Sequence, residues 1–265
     1  MNKIRFIFYG IGRGLGISMP SIHSKLLSPS KQYFNSITCH HLIQNEYEIS
    51  NLRSGDFGLI NDIPNETFLT KPIRINFNPE NDEPGIFQKV TRSKCMHGDA
   101  HKSSINLVKQ LNLLNYASKK IESDEIVVLC RDDIYFNYFD DEIFNKAKLL
   151  KDNEFIVARF DWQNGINDRF LIAKGRTAKI LAKRIHFIER LISKDSGING
   201  ERLMLLCSKI LKLQPIIFNI KFSRVRLNNT ILKERNFLPI NRPYELFRIF
   251  ISLLYTIQVN LRKSK

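Results

Sequence analysis

Two adjacent acids, Asp132 and Asp133, follow an unbroken apolar run in EIVVLCRDDIYF. Ligands of open α/β sheets gather outside the carboxyl ends of strands, which is where this pair is expected. Two carboxylates there can hold a hard divalent cation, Mn²⁺ or Mg²⁺, that keeps several waters and bridges diphosphate oxygens. Such a cation neutralises charge on a departing phosphate. The tripeptide Arg131, Asp132, Asp133 reads equally as a surface turn with a local ion pair, and the apolar strand before it favours the functional reading.

Two further stretches offer chemistry. In FDWQNGINDRFLIA the only Trp of the chain, Trp162, offers an aromatic platform for a sugar ring. Asn167 and Asp168 can take up hydroxyls there, and Asp168 can remove a proton from one. The competing reading is a hairpin with an Asn-Gly turn and positive φ at Gly165. In SGINGERLM, Glu201 opens a helix, where an acid suits the dipole without any function and equally suits a general base at a cleft edge. Downstream, Arg224 and Arg226 alternate on an expected strand, so both face one way and can clamp a phosphate, or simply face solvent.

The opening stretch FIFYGIGRGLG joins an apolar run to Gly10, Gly12, Gly14 and Gly16. Strand, turn and helix in that order fit a nucleotide site. The strict G-x-G-x-x-G fingerprint is absent, because Leu15 or Ile17 occupies the last position. A dinucleotide fold also wants an acid about 20 residues on, and the expected second strand ends instead on His40 and His41. An NAD(P)-dependent oxidoreductase is therefore an alternative of lower rank, and the turn is read more broadly as opening an α/β nucleotide-binding domain. His97 and His101 lie in an expected loop with no partner at helical ligand spacing on a helix, no H-E-x-x-H, G-x-S-x-G or P-loop occurs, and the four cysteines form no C-x-x-C pair.

The elements expected to position these groups alternate along the chain. Strands are expected at 4–9, 37–42, 126–130 and 154–160, and over FLIAKG and IIFNIKFSRVRL. Helices are expected at 20–27, at 105–121 after a Ser N-cap, and at 141–150, 177–192 and 201–213. Residues 45–98, rich in Asn, Asp, Pro and Gly, read as a long irregular excursion of the kind that carries specificity.

Composition bounds the partners. The chain has 265 residues, 43% of them hydrophobic, enough for one principal domain over 1–240. Formal charge is +15, and +11 of it lies in residues 202–265, where 13 Lys and Arg face 2 acids. A positive end on a nearly balanced body points to an anionic surface or a phosphate-bearing ligand, and away from a protein that wraps nucleic acid. No signal peptide is expected, and the longest apolar stretch, 246–261, is interrupted and short for a membrane span. A reducing cytoplasm is the expected home.

Four stretches, in order, resemble bacterial GT-A-like glycosyltransferases that build capsule, lipopolysaccharide or other surface polysaccharides. They are GIGR (10–13) with a following PSI helix, a long helix leading to a strand that ends in R-x-D, N-D-R-F (167–170), and G-E-R-L followed by a strand with Val225 and Arg226. The resemblance implies an open, mostly parallel sheet with helices on both faces, and a nucleotide-diphosphate-sugar donor. It places Gly10, Gly12, Arg13, Arg131, Trp162, Asn167 and Arg226 around that donor. The R-x-D acid carries over to Asp133 as a metal ligand, with Asp132 as a second. Members often have Pro where this chain has Asp132, so one acid or both are candidates. If the configuration inverts, Asp168 or Glu201 deprotonates the acceptor, a growing glycan or lipid-linked sugar. Residues 241–265 form an expected basic amphipathic helix, fit to lie on an anionic leaflet at the inner face of the membrane or to close the core. A nucleic-acid-binding protein is the rival from another class, but the basic end is joined to an apolar face that suits lipid better.

Overall fold

The run from Ile4 to Tyr9 is apolar at nearly every position because its strand is buried on both faces. In β1 (Lys3–Gly10), Phe6 and Phe8 enter one layer of the core while Ile7 and Tyr9 enter the other. The same rule gives β6 its continuous IVVLC. Each large apolar side chain buried this way contributes about 1.5–3 kcal/mol. These observations come from a computed structural model, which describes residues 2–46, 48–51, 56–60, 63–95, 98–159, 165–192 and 197–232.

Beyond β1 the strands are β2 (Ser36–Gln44), β3 (Glu48–Asn51), β4 (Asp56–Leu59), β5 (Ile73–Ile75), β6 (Ile126–Arg131), β7 (Ile134–Tyr138), β8 (Glu154–Ala158), β9 (Phe170–Lys174), β10 (Gln214–Phe218), β11 (Lys221–Val225) and β12 (Ile231–Leu232). Seven of them form one sheet in the order β10-β8-β9-β6-β1-β2-β5. All run parallel except β9, which pairs antiparallel with β6 and β8. One face is packed by the helices Lys102–Ser118, Gly175–Ala182 and Gly200–Ile210, the other by Leu15–Ile22 and Ile143–Lys148. The fold is thus the open, mostly parallel α/β sheet expected. A three-stranded sheet, β12-β11-β7, and the hairpin β3-β4 stand beside it.

Because β9 runs backwards, its entry lies at the rim where β1, β2, β5, β6, β8 and β10 exit. In register, Tyr9 faces Arg131 and Cys130 faces Phe170, so RDD and the end of N-D-R-F arrive side by side. At the opposite rim Arg5 is clamped by buried Glu125 at 2.6 Å and approached by Glu122 and His40.

Several expected boundaries are corrected. The first helix starts at Leu15, directly after Gly14 at φ 64, and Pro20 lies inside it. The helix expected at 105–121 begins at Lys102 with His101, not Ser, at its N-cap. The helix expected over 177–192 stops at Ala182, where buried Arg184 donates from Nη1 to the Leu181 carbonyl, and resumes at Ile188. IIFNIKFSRVRL is two strands in two sheets, parted by a tight turn in which the Ile220 N–H reaches the Phe218 carbonyl at 2.9 Å. Arg224 is the penultimate residue of β11 and Arg226 lies just beyond its end at Val225, so the two do not share one strand. Among the described residues no helix is long and apolar enough to cross a membrane. The segment 241–265 lies outside the described residues.

Candidate active site

The glycine turn receives one of the two acids. Gly12 takes φ 76, and its N–H donates to Asp132 Oδ2 at 2.9 Å. Gly10 lies so close to the Asp132 carboxylate that a Cβ there would overlap it. The Asp132 N–H in turn reaches the Tyr9 carbonyl at 3.1 Å. His41, paired with Phe8 across β1 and β2, sets Nε2 3.2 Å from Asp132 Oδ2 and Nδ1 2.6 Å from the Thr67 hydroxyl. The ring bridges the hydroxyl and the carboxylate, both buried. Sequence reasoning set the histidines aside; a buried polar residue on a strand beside the glycine turn was the available signal.

Asp133 is held by arginines. Arg13 donates to Oδ2 from Nη2 at 2.6 Å and from Nε at 3.2 Å, and Arg131 donates from Nε to Oδ1 at 2.8 Å and from Nη2 to Oδ2 at 2.6 Å. Burial by itself would raise the Asp133 carboxyl, but the two guanidiniums outweigh it and hold it well below the usual carboxylate range. The third nitrogen of Arg13, Nη1, donates to Asp56 Oδ2 at 2.6 Å.

Asp56 starts β4 in the excursion that looked irregular, and sequence reasoning missed it. It is 2% exposed, accepts the Leu227 N–H at 2.9 Å and lies 3.6 Å from Arg226 Nη1. Arg226 is placed by its neighbours, since the Val225 N–H donates to the Asp133 carbonyl and Gly14 packs against Val225. Burial, then Arg224 and Arg13, push the Arg226 guanidinium down to about 10, so it stays a full cation at neutral pH. Its buried Nε has no hydrogen-bond partner among the described residues.

The other candidate acids adjoin this cluster. The Tyr9 hydroxyl donates to the Asp168 carbonyl at 2.8 Å, and the Arg131 N–H to the Arg169 carbonyl at 3.0 Å. The Asp168 carboxylate lies against Gly200, where a Cβ would strike it, so N-D-R-F and G-E-R-L meet at one place. Glu201 is 6% exposed and accepts from Arg169 Nη2 at 3.3 Å, whereas Asp168 is half-buried. Asn167 is fully buried, its Oδ1 accepting the Arg169 N–H. Gly165 does not take the positive φ of an Asn-Gly hairpin turn; it packs on the backbone of Glu201. Trp162 lies outside the described residues.

The expected divalent cation meets an unsuitable donor set. Each Asp133 oxygen already accepts from a guanidinium, so a dication beside it would face two fixed positive charges. Asp132 spends Oδ2 on Gly12 and His41. Among the described residues no group of three or more His, Cys, Asp or Glu side chains is placed to hold a metal. What the rim assembles is an arginine cluster interleaved with carboxylates, suited to binding an anion beside an accessible base.

No protein-family model matches the chain, and no curated protein sequence does. It is similar in outline to several solved structures. One is the galactosyltransferase LgtC in complex with donor and acceptor sugar analogs, at 12% identity and TM-score 0.44, covering 80% of this chain and 72% of that one. A second is mouse xyloside xylosyltransferase 1 in its apo form, at 11% identity and TM-score 0.39, covering 82% and 84%. A third, assigned as a glucose-1-phosphate thymidylyltransferase from Bacillus anthracis and bound to a sucrose, has 9% identity and TM-score 0.38, covering 84% and 89%. These likenesses are of overall shape, and the functional reading rests on this chain's own residues.

Proposed function

We propose that this chain is a glycosyltransferase that moves a sugar from a nucleotide-diphosphate-sugar donor to a hydroxyl of a glycan or lipid-linked acceptor. The observation that carries the reading is the convergence, at one rim of the sheet, of Arg13, Arg131 and Arg226 with the half-buried Asp168. The arginines suit the diphosphate and Asp168 suits the acceptor.

In the reaction, the acceptor oxygen forms a bond to the anomeric carbon as the bond from that carbon to the diphosphate oxygen breaks. The electron pair leaves with the nucleoside diphosphate, where cationic donors stabilise it. Asp168 takes the acceptor proton. Glu201, already paired with Arg169, positions the loop that carries Asp168. The proposal extends to surface-polysaccharide acceptors and to an anionic membrane surface met by the basic, apolar sequence 241–265; the support for both is the sequence resemblance and the charge distribution.

The test is a thermal-shift panel of UDP-, GDP-, TDP- and CMP-sugars with NAD and NADP. A ligand at about 100 times its dissociation constant adds roughly 2.7 kcal/mol, a detectable shift. Stabilisation by one sugar nucleotide, followed by sugar transfer to an acceptor that fails in Asp168→Asn, supports the reading. A response to NAD alone overturns it.

A further inference from the structure

At this rim the guanidiniums outnumber the carboxylates they touch. Three guanidiniums, Arg13, Arg131 and Arg226, share two carboxylates, Asp56 and Asp133, and Arg224 adds to the positive field on Arg226. Arg226 is the least compensated member. Its side chain is 9% exposed, its carboxylate neighbour stands 3.6 Å away, and its Nε has no hydrogen-bond partner among the described residues. Buried donors are normally satisfied, so a guanidinium N–H inside a cationic cluster with no partner among the described residues can take an acceptor oxygen from a ligand. A doubly charged group with several oxygens, such as a diphosphate, supplies both the missing charge and the acceptors.

The bracket around Asp133 bears on how that diphosphate is neutralised. Four guanidinium N–H groups converge on its two oxygens. A dication bound there would break those hydrogen bonds and then repel the same two arginines. The carboxylate is better placed to fix Arg13 and Arg131 in advance of the ligand, and fixed donors stabilise a leaving anion without reorganising.

We propose that the donor's diphosphate is held by this guanidinium set, with Arg226 as a direct ligand and Asp133 positioning Arg13 and Arg131, and that binding and transfer require no divalent cation. The inference rests on the glycosyltransferase reading and adds that the charge otherwise supplied by a metal is supplied by arginine.

The experiment titrates UDP, GDP and TDP calorimetrically into the full chain, first stripped with EDTA and held in EDTA, then with excess Mn²⁺. The expected result is one nucleotide whose dissociation constant in EDTA lies within about threefold of that in Mn²⁺. Arg226→Gln is expected to weaken it about tenfold in both buffers, and Arg226→Lys, which keeps the charge and loses the fork, to recover part. Binding that appears only with Mn²⁺ overturns the inference and leaves the transferase reading standing. No binding of any nucleotide in either buffer overturns that reading itself. The comparison of buffers is made on the unaltered protein, so it does not depend on any variant folding.

Discussion

The Asp56 carboxylate accepts a 2.6 Å hydrogen bond from the Arg13 guanidinium and lies 3.6 Å from Arg226, both within the cluster that the proposed ligand would enter. An internal carboxylate therefore sits on cations that an external anion would use. Breaking a buried pair leaves an uncompensated charge and costs about 3–5 kcal/mol at most sites. We predict that Asp56→Asn, which keeps an oxygen for the Leu227 N–H, lowers the unliganded melting temperature. The same variant should gain more than the unaltered protein from saturating nucleoside diphosphate. Equal gains would show that Asp56 and the ligand do not share these arginines.

Gly10 and Gly16 give opposite predictions. Gly10 has no room for a Cβ against Asp132, whereas Gly16, inside the first helix, has nothing within 4 Å. Gly10→Ala should destabilise by about 2–3 kcal/mol through overpacking. Gly16→Ala should stabilise by roughly 0.5–1 kcal/mol, the difference in helix propensity. Urea denaturation of the pair checks both signs.

Acid sensitivity should trace to Asp133. Its folded carboxyl is held below the ordinary value, so the stability it contributes is fully present above the unfolded carboxylate range, about pH 4, and is lost as pH falls from there. Stability of the unaltered protein and Asp133→Asn should differ by a constant amount above about pH 5, and the gap should narrow steadily as pH falls below about 4. Denaturation midpoints measured across that range test this. A gap that did not narrow would mean that the carboxylate charge is not what binds the two arginines.

Asp168 and Glu201 should separate by the kind of damage they cause. Removing a general base costs about 10²–10⁴ in turnover, so Asp168→Asn should lose transfer while donor binding and melting temperature stay near normal. Glu201→Gln removes the charge facing Arg169, which is 5% exposed, and should lower stability first. Single-turnover transfer measured beside melting curves distinguishes the two roles.

How much of this was readable in the chain depended on the distance over which each feature is set. β1 and β6 could be read because burial on both faces leaves an apolar run that needs no partner to interpret. The exit of β6 put Asp132 and Asp133 at the carboxyl rim of the sheet for the same reason. Their roles were not readable, because a carboxylate prepared for a metal and one clamped by Arg13 look alike until the residue 120 positions away is in place. Asp56 and His41 likewise arrive through long-range contacts, 43 and 91 positions apart in the chain. The alternation of IIFNIKFSRVRL passes unbroken through the turn at Ile220, so it could not show the change of sheet. Nor does any residue pattern tell which way β9 runs.

The reversal of β9 sorts the molecule into two ends with different tolerances. Its entry brings Asp168 to the arginines, and its exit delivers Gly175, whose N–H reaches the Glu125 carbonyl at 2.8 Å, to the far end where Glu125 clamps Arg5. One strand is thus anchored to the scaffold by its tail while its head presents the Asp168 carboxylate proposed as the base. Residues around Arg5 and Glu125 can be selected for foldedness alone, and those around Arg13 and Asp168 can drift in chemistry without loosening the anchor. In a mutational survey, lesions that abolish the protein and lesions that merely silence it would fall at opposite ends of the same five-residue strand.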